Sequence, residues 1–252
     1  MVKEPVIEAP EENHQKEDKK KMTFLEHLDE FRGRLIRIAI AIVLGAIVSY
    51  FKIDLLMSIL LKPAQGPLIY ISPFEAFVVQ LKVSIISGII ITLPYTLFEV
   101  WGFISPALHK KEKRFVIPFI LSSLILFATG IFFAYYLLPY AMRFFRSFES
   151  DMLKANWTIS KYMDFLIKMF LGFGFVFETP IIIFFLAKFG IVSPEFLTKK
   201  WRIIVISIFI IAAFITPGPD IFSQLVLVVP LILLYIISIF IAKIAYKKQN
   251  GS

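Results

Sequence analysis

One carboxyl group stands near the middle of a long apolar segment of the chain. Glu178 lies in the stretch LGFGFVFETPIIIFFLAKFG, with about a dozen largely apolar residues on each side. A carboxyl group at membrane depth is costly, so it indicates a functional site, such as a proton site or a contact with a partner helix. Pro180, two residues later, removes a backbone donor and frees a carbonyl one turn earlier. The alternative is a carboxyl group that only bonds a neighbouring helix.

A cluster of acids and bases, EHLDEFRGRL, precedes the first apolar segment. Glu26 and Glu30 are four residues apart and share a helical face, with Asp29 beside them. Apolar residues also recur at helical spacing and predict a stripe that lies on the membrane surface: Phe24, Leu28, Phe31 and Leu35. The carboxylates could therefore receive cationic groups, or they could form only a solvated face.

A second charged stretch, WGFISPALHKKEKR, contains Glu112 as one acid among basic residues. The basic run is typical of a cytoplasmic loop, where Glu112 either forms a local ion pair or receives a cationic ligand. Two further acids have weaker patterns. Glu99 lies at the predicted inner membrane boundary, and Asp220 can cap the last apolar segment. For both, a structural role is at least as well supported as a functional one.

Several classes of enzyme are excluded by what the sequence lacks. Without cysteine there is no thiol nucleophile, disulfide or cysteine-bound zinc. There is no GxxxxGK[ST], HExxH or GxSxG motif, and no histidine lies within an apolar segment. We therefore expect no enzymatic activity, no catalytic residue, no cofactor and no metal.

The elements that must position these side chains are apolar helices. The chain has 252 residues, of which 58% are hydrophobic and only 18% charged, with 28 phenylalanines and a mean hydropathy of +0.78. A soluble domain is closer to about 25% charged. The composition thus predicts a polytopic all-α membrane protein with six apolar segments: 35–51, 74–98, 115–138, 162–189, 203–215 and 221–244. The fifth is short, and the tight turn TPGPD makes it a hairpin with the sixth.

The distribution of basic residues predicts the orientation in the membrane. If the N-terminus is inside, the inner stretches hold 18 Lys and Arg and the outer stretches hold 6. This asymmetry places both termini in the cytoplasm and explains the net charge of +8 without nucleic acid. Residues 1–21, with five Lys and six acids, are predicted to be a disordered cytoplasmic tail. The membrane domain is predicted over 22–244, followed by a cytoplasmic tail at 245–252.

Five stretches in order along the chain, from about residue 24 to residue 244, resemble one family. They are FLEHLDEFRGRL, LPYTLFEVWGFISPALHKKEKR, FGFVFETP, GIVSPEFLTKKWR and ITPGPDIFSQ, and they are similar to TatC, the multispanning receptor subunit of the twin-arginine protein translocase. The resemblance implies six helices in a concave, glove-like bundle with short fifth and sixth helices. It also implies binding of the twin-arginine signal peptides of folded cargo at the cytoplasmic face. Partners would be single-span TatA or TatB subunits, lipid and further copies of the chain in a complex driven by the proton gradient.

The resemblance also assigns roles to individual residues. Glu30 and Glu112 correspond to the acids that receive the two arginines of the signal peptide, and Glu178 to a mid-membrane acid that meets a polar residue of the partner. Three positions would shape the peptide site: Arg32, Leu35 and Phe103. Four positions match functional sites in the outer loops and the hairpin: Pro63, Pro73, Asp220 and Gln224.

Two other functions are compatible with an intramembrane acid. A proton-coupled small-solute secondary transporter would use Glu178 as its proton site, but it predicts a repeat-related pair of broken helices, which the sequence lacks. An intramembrane hydrolase would need a nucleophile or metal pattern, which the sequence also lacks.

Overall fold

The computed structural model describes residues 24–104, 116–150, 156–215 and 221–250, and this part of the chain is almost entirely helical. Long runs of Leu, Ile and Phe suit an apolar lipid environment, in which a helix satisfies its backbone hydrogen bonds without water. The helices are α1 (Phe24–Tyr50), α2 (Ile53–Leu61), α3 (Pro73–Ile104), α4 (Val116–Arg146), α5 (Ile159–Phe177), α6 (Thr179–Lys188), α7 (Pro194–Lys199), α8 (Trp201–Ile215) and α9 (Ile221–Asn250).

The predicted all-α membrane architecture is confirmed. Within the described residues, four helical stretches are long and apolar enough to cross a membrane: Pro73–Phe103, Val116–Arg146, Ile159–Lys188 and Leu227–Tyr246. Helices α1 and α2 would make a fifth span if they act as one, with a bend of 81° between them. The amphipathic stretch before the first apolar segment is continuous with α1 rather than a separate surface helix.

The two last helices differ in length, contrary to the expectation that both are short. Helix α8 has 15 residues, as the short fifth segment predicts. Helix α9 has 30 residues, so the prediction of a short sixth helix is wrong. The apolar run ends near residue 244, but AKIAYKKQN is rich in good helix formers, and the helix therefore continues to Asn250.

Helices α1 and α3 pack antiparallel through two glycines. A Cβ atom on Gly88 would lie 2.5 Å from the backbone nitrogen of Ala46, and one on Gly45 would lie 2.9 Å from the carbonyl oxygen of Gly88. Small residues let two membrane helices approach this closely. The contact also fixes their register. Arg34 lies eleven residues before Gly45, and Glu99 lies eleven residues after Gly88. Because the two helices are antiparallel, Arg34 and Glu99 therefore lie at the same level along the helix axes.

The core lies between α4, α5 and their neighbours. Its fully buried members include Leu138, Met142, Tyr162, Met163 and Phe173. Beside the core, an open groove of about 400 Å³ runs between α2, α3, α4 and α5 and gives the bundle a concave face. The lining is apolar and includes Leu60, Leu93, Phe127 and Phe170.

The close approach of α1 and α3 gives a test of this packing. Gly45→Ala places a methyl group 2.8 Å from Cγ2 of Thr92, so the free energy of unfolding should fall by about 1–3 kcal/mol. Gly33→Ala is the matched control on the same helix, because its methyl group would meet only Arg37 Nη1 at 3.7 Å. Thermal unfolding in detergent measures both variants. Equal stability of the two would contradict the packing.

Candidate functional site

A buried carboxylate, Glu99, is the centre of the charged cluster where α1 begins and α3 ends. The residue is 6% exposed. Arg37 donates from Nε to Oε1 at 2.8 Å and from Nη2 to Oε2 at 3.1 Å. Arg34 Nη1 donates to Oε2 at 2.9 Å, and the Tyr95 hydroxyl donates to Oε1 at 2.8 Å. Four donors therefore compensate the burial of one negative charge, which would otherwise be costly.

Arg34 connects Glu99 to Glu30. Its Nε and Nη2 both donate to Oε1 of Glu30, at 3.0 and 2.7 Å, while Nη1 is held by Glu99. Gly102 makes room for this guanidinium, because a Cβ atom there would overlap it. The guanidinium thus bridges two carboxylates on two helices, and it contacts only one oxygen of Glu30.

The second oxygen of Glu30 is open. Oε2 is buried and has no hydrogen-bond partner within the described part of the chain. Nδ1 of His27 lies 3.8 Å from Oε2, which exceeds hydrogen-bond distance. The His27 ring stacks on Phe103 with centroids 4.3 Å apart, and Phe31 packs against Phe103 at 5.3 Å. Oε2 of Glu30, beside these aromatic rings, therefore lacks the N–H donor that a buried acceptor needs.

Two of the predicted peptide-binding residues, Glu30 and Phe103, lie in this cluster, because His27 contacts both. Arg32 and Leu35 lie on the exposed side of α1, and Leu35 is 54% exposed. Those two side chains thus line the surface next to the cluster rather than its interior.

Two other predicted acids lie outside the described residues. Glu112 falls within 105–115, directly after α3, and Asp220 falls within 216–220, between α8 and α9. Their predicted roles stay predictions.

Glu178 occupies the break between α5 and α6. Its main chain ends one helix and begins the next, with Pro180 at the second position of α6. The side chain is half-buried, and its Oε1 is buried without a hydrogen-bond partner among the described residues. The hydroxyl of Ser123, buried on α4, lies near the carboxyl group. An intramembrane acid with an open oxygen is suited to a contact from outside the chain.

The remaining predicted positions have structural contacts. Gln224 donates from Nε2 to the carbonyl oxygen of Phe209 at 2.7 Å and so ties α9 to α8. Pro63 is buried in a 3-10 turn after α2, and Pro73 is the first residue of α3, where its missing N–H is not needed. Both prolines belong to the end of the bundle opposite the charged cluster.

Sequence reasoning did not identify Arg34, Arg37 or Tyr95, and it gave Glu99 no partner. The available signal was the register of α1 against α3, which the glycine pair determines. With Gly45 opposite Gly88, Glu99 must face the two arginines.

Within the described residues, no group of three or more His, Asp and Glu could hold a metal ion.

Comparisons with known proteins agree with this architecture. Residues 26–230 match the family model described as "Sec-independent protein translocase protein (TatC)". The TatC protein of Carboxydothermus hydrogenoformans is 41% identical over 234 residues, which cover 91% of this chain and 96% of that protein. TatCy of Bacillus subtilis is 35% identical over 237 residues, which cover 92% of each chain.

Two solved structures have the same fold. One, described as the twin arginine translocase receptor TatC, has a TM-score of 0.75 at 36% identity and covers 87% of this chain and 99% of that one. The same receptor in the detergent DDM has a TM-score of 0.77 at 36% identity and covers 85% of this chain and 98% of that one.

The fold, the intramembrane acid and these matches define a multi-pass membrane protein of a protein-export system. The chain belongs to the TatC family. It is a component of the twin-arginine translocase in the inner membrane and works with other Tat components.

The hydrogen bonds to Glu99 give a prediction about stability. Tyr95→Phe removes one donor to a buried carboxylate, so the free energy of unfolding should fall by about 1.5–3 kcal/mol. Tyr50→Phe, at an exposed position at the other end of α1, is the control and should change little. Chemical unfolding in detergent micelles measures both. A Tyr95→Phe variant as stable as the control would contradict the network.

Proposed function

We propose that the chain is the receptor for twin-arginine signal peptides and that one peptide arginine binds Glu30 at the charged end of the bundle. The observation that carries this proposal is the buried, unpaired Oε2 of Glu30, which lacks a partner among the described residues. A guanidinium has five N–H donors in a planar fork and pairs with carboxylates at short distance. The second arginine would bind Glu112, which follows α3 in the chain.

The proposed orientation places this site in the cytoplasm, where precursor proteins are made. The positive-inside asymmetry of 18 to 6 supports both termini on that side. The aromatic wall of His27 and Phe103 beside Glu30 suits a guanidinium, which also stacks on flat rings. A lysine ammonium is a point charge without that planar fork, so a twin-lysine peptide should bind less well.

Binding of a synthetic twin-arginine signal peptide to the detergent-purified protein tests this proposal. The wild type should prefer it to the twin-lysine version. Glu30→Gln should weaken its binding about tenfold or more, because a charge-assisted contact is lost.

Asp29→Asn is the matched control for this experiment. It removes the same charge from the neighbouring, exposed position, and it should have a much smaller effect. If the Asp29→Asn variant loses as much affinity as the Glu30→Gln variant, general charge rather than a site at Glu30 governs binding.

A second site, on a different face, is proposed for the single-span Tat subunits. Glu178 has an open carboxylate oxygen inside the bundle's apolar region and can bond a polar side chain of a partner helix. The hairpin of α8 and α9, held by Gln224, extends the proposed partner surface. We propose that TatA- or TatB-type subunits assemble there with several copies of this chain, in export driven by the proton gradient.

Glu178→Ala separates this site from the peptide site. The variant should bind the twin-arginine peptide as the wild type does but should recover less of a tagged single-span subunit on co-purification. Glu195→Ala, at an exposed acid on α7, is the control and should retain the partner. Full recovery of the partner by the Glu178→Ala variant would refute the assignment.

A further inference from the structure

We infer that Glu99 is a positioning residue for signal-peptide recognition: it holds Arg34 so that Arg34 covers only one oxygen of Glu30 and leaves the other for the peptide. The inference rests on the proposed function. It adds a residue that does not touch the peptide and acts through Arg34.

Arg34 is a guanidinium already bound to the proposed receptor carboxylate. Its Nε and Nη2 converge on Glu30 Oε1, and its Nη1 is committed to the side chain and main chain of Glu99, at 2.9 and 3.3 Å. All three of its nitrogens are therefore engaged. An arginine that paired with Glu30 alone would form a parallel fork on both oxygens, which is the preferred arrangement. Glu99 prevents that fork, and the peptide arginine can approach Oε2.

The charge balance of the cluster supports the same role for Glu99. Glu30 and Glu99 balance Arg34 and Arg37. If Glu99 loses its charge, Arg34 is attracted by Glu30 alone, and the cluster gains a net positive charge that repels a cationic peptide. These two effects, the closing of Arg34 on Glu30 and the change in net charge, can be separated by choosing which arginine is removed with Glu99.

The test measures the affinity of four full-length, detergent-purified variants for a synthetic twin-arginine signal peptide. Glu99→Gln keeps the shape of the side chain and should weaken binding about tenfold. Glu99→Gln with Arg34→Gln should restore wild-type affinity, because no guanidinium closes on Glu30. Glu99→Gln with Arg37→Gln has the same net charge but keeps Arg34, and it should stay about tenfold weaker than the wild type.

Arg34→Gln alone provides an independent check that does not unpair Glu99, which keeps Arg37 and Tyr95 as donors. It should bind the peptide at least as tightly as the wild type. Weaker binding by this variant would overturn the inference, and so would equal rescue by the Arg34 and Arg37 double variants. If the wild type itself does not prefer arginine over lysine, the proposed function fails and this inference fails with it.

Discussion

The contact between Gly45 and Gly88 is the constraint on which the charged site depends. Two helices that meet through glycine backbones have little freedom to slide, because a shift along the axis would bring larger side chains into the contact. That register places Arg34 and Arg37 on α1 level with Glu99 on α3, where they form ion pairs with it. The Arg34 guanidinium then fills the space that a glycine at the end of α3 leaves open. The geometry of the charged site thus follows from a packing contact several helical turns away.

Electrostatics makes this geometry suitable for the proposed receptor site. A carboxylate as buried as Glu99 is stable only because guanidiniums and a hydroxyl compensate its charge. The hydrogen bond to Glu99 occupies Arg34 Nη1, so this nitrogen does not donate to Glu30. The cluster of Glu30, Glu99, Arg34 and Arg37 is therefore balanced in charge and yet has an open carboxylate oxygen. Glu178 has its own open oxygen at a helix break, so the two proposed functions use separate sites on the bundle.

Features that depend on composition and local pattern, such as the helices and the charged motifs, could be predicted from the sequence. Apolar runs indicated the helices and the short α8, the charged motifs pointed to Glu30, and the family resemblance added Phe103. The length of α9 was missed because the resemblance implied a short sixth helix, whereas the apolar segment already runs over 221–244 and good helix formers extend the helix to Asn250. The pairing of Glu99 with two arginines was missed because it depends on how two helices slide against each other. Their glycines look like any others in an apolar sequence.

The most direct measurement is an experimental structure of the full-length protein with a bound twin-arginine signal peptide. We expect one peptide guanidinium within hydrogen-bond distance of Glu30 Oε2, while Arg34 keeps its contacts with Glu30 Oε1 and with Glu99. A peptide arginine bound away from the α1–α3 end would contradict the receptor site. An Arg34 displaced from Glu30 by the peptide would contradict the role given to Glu99.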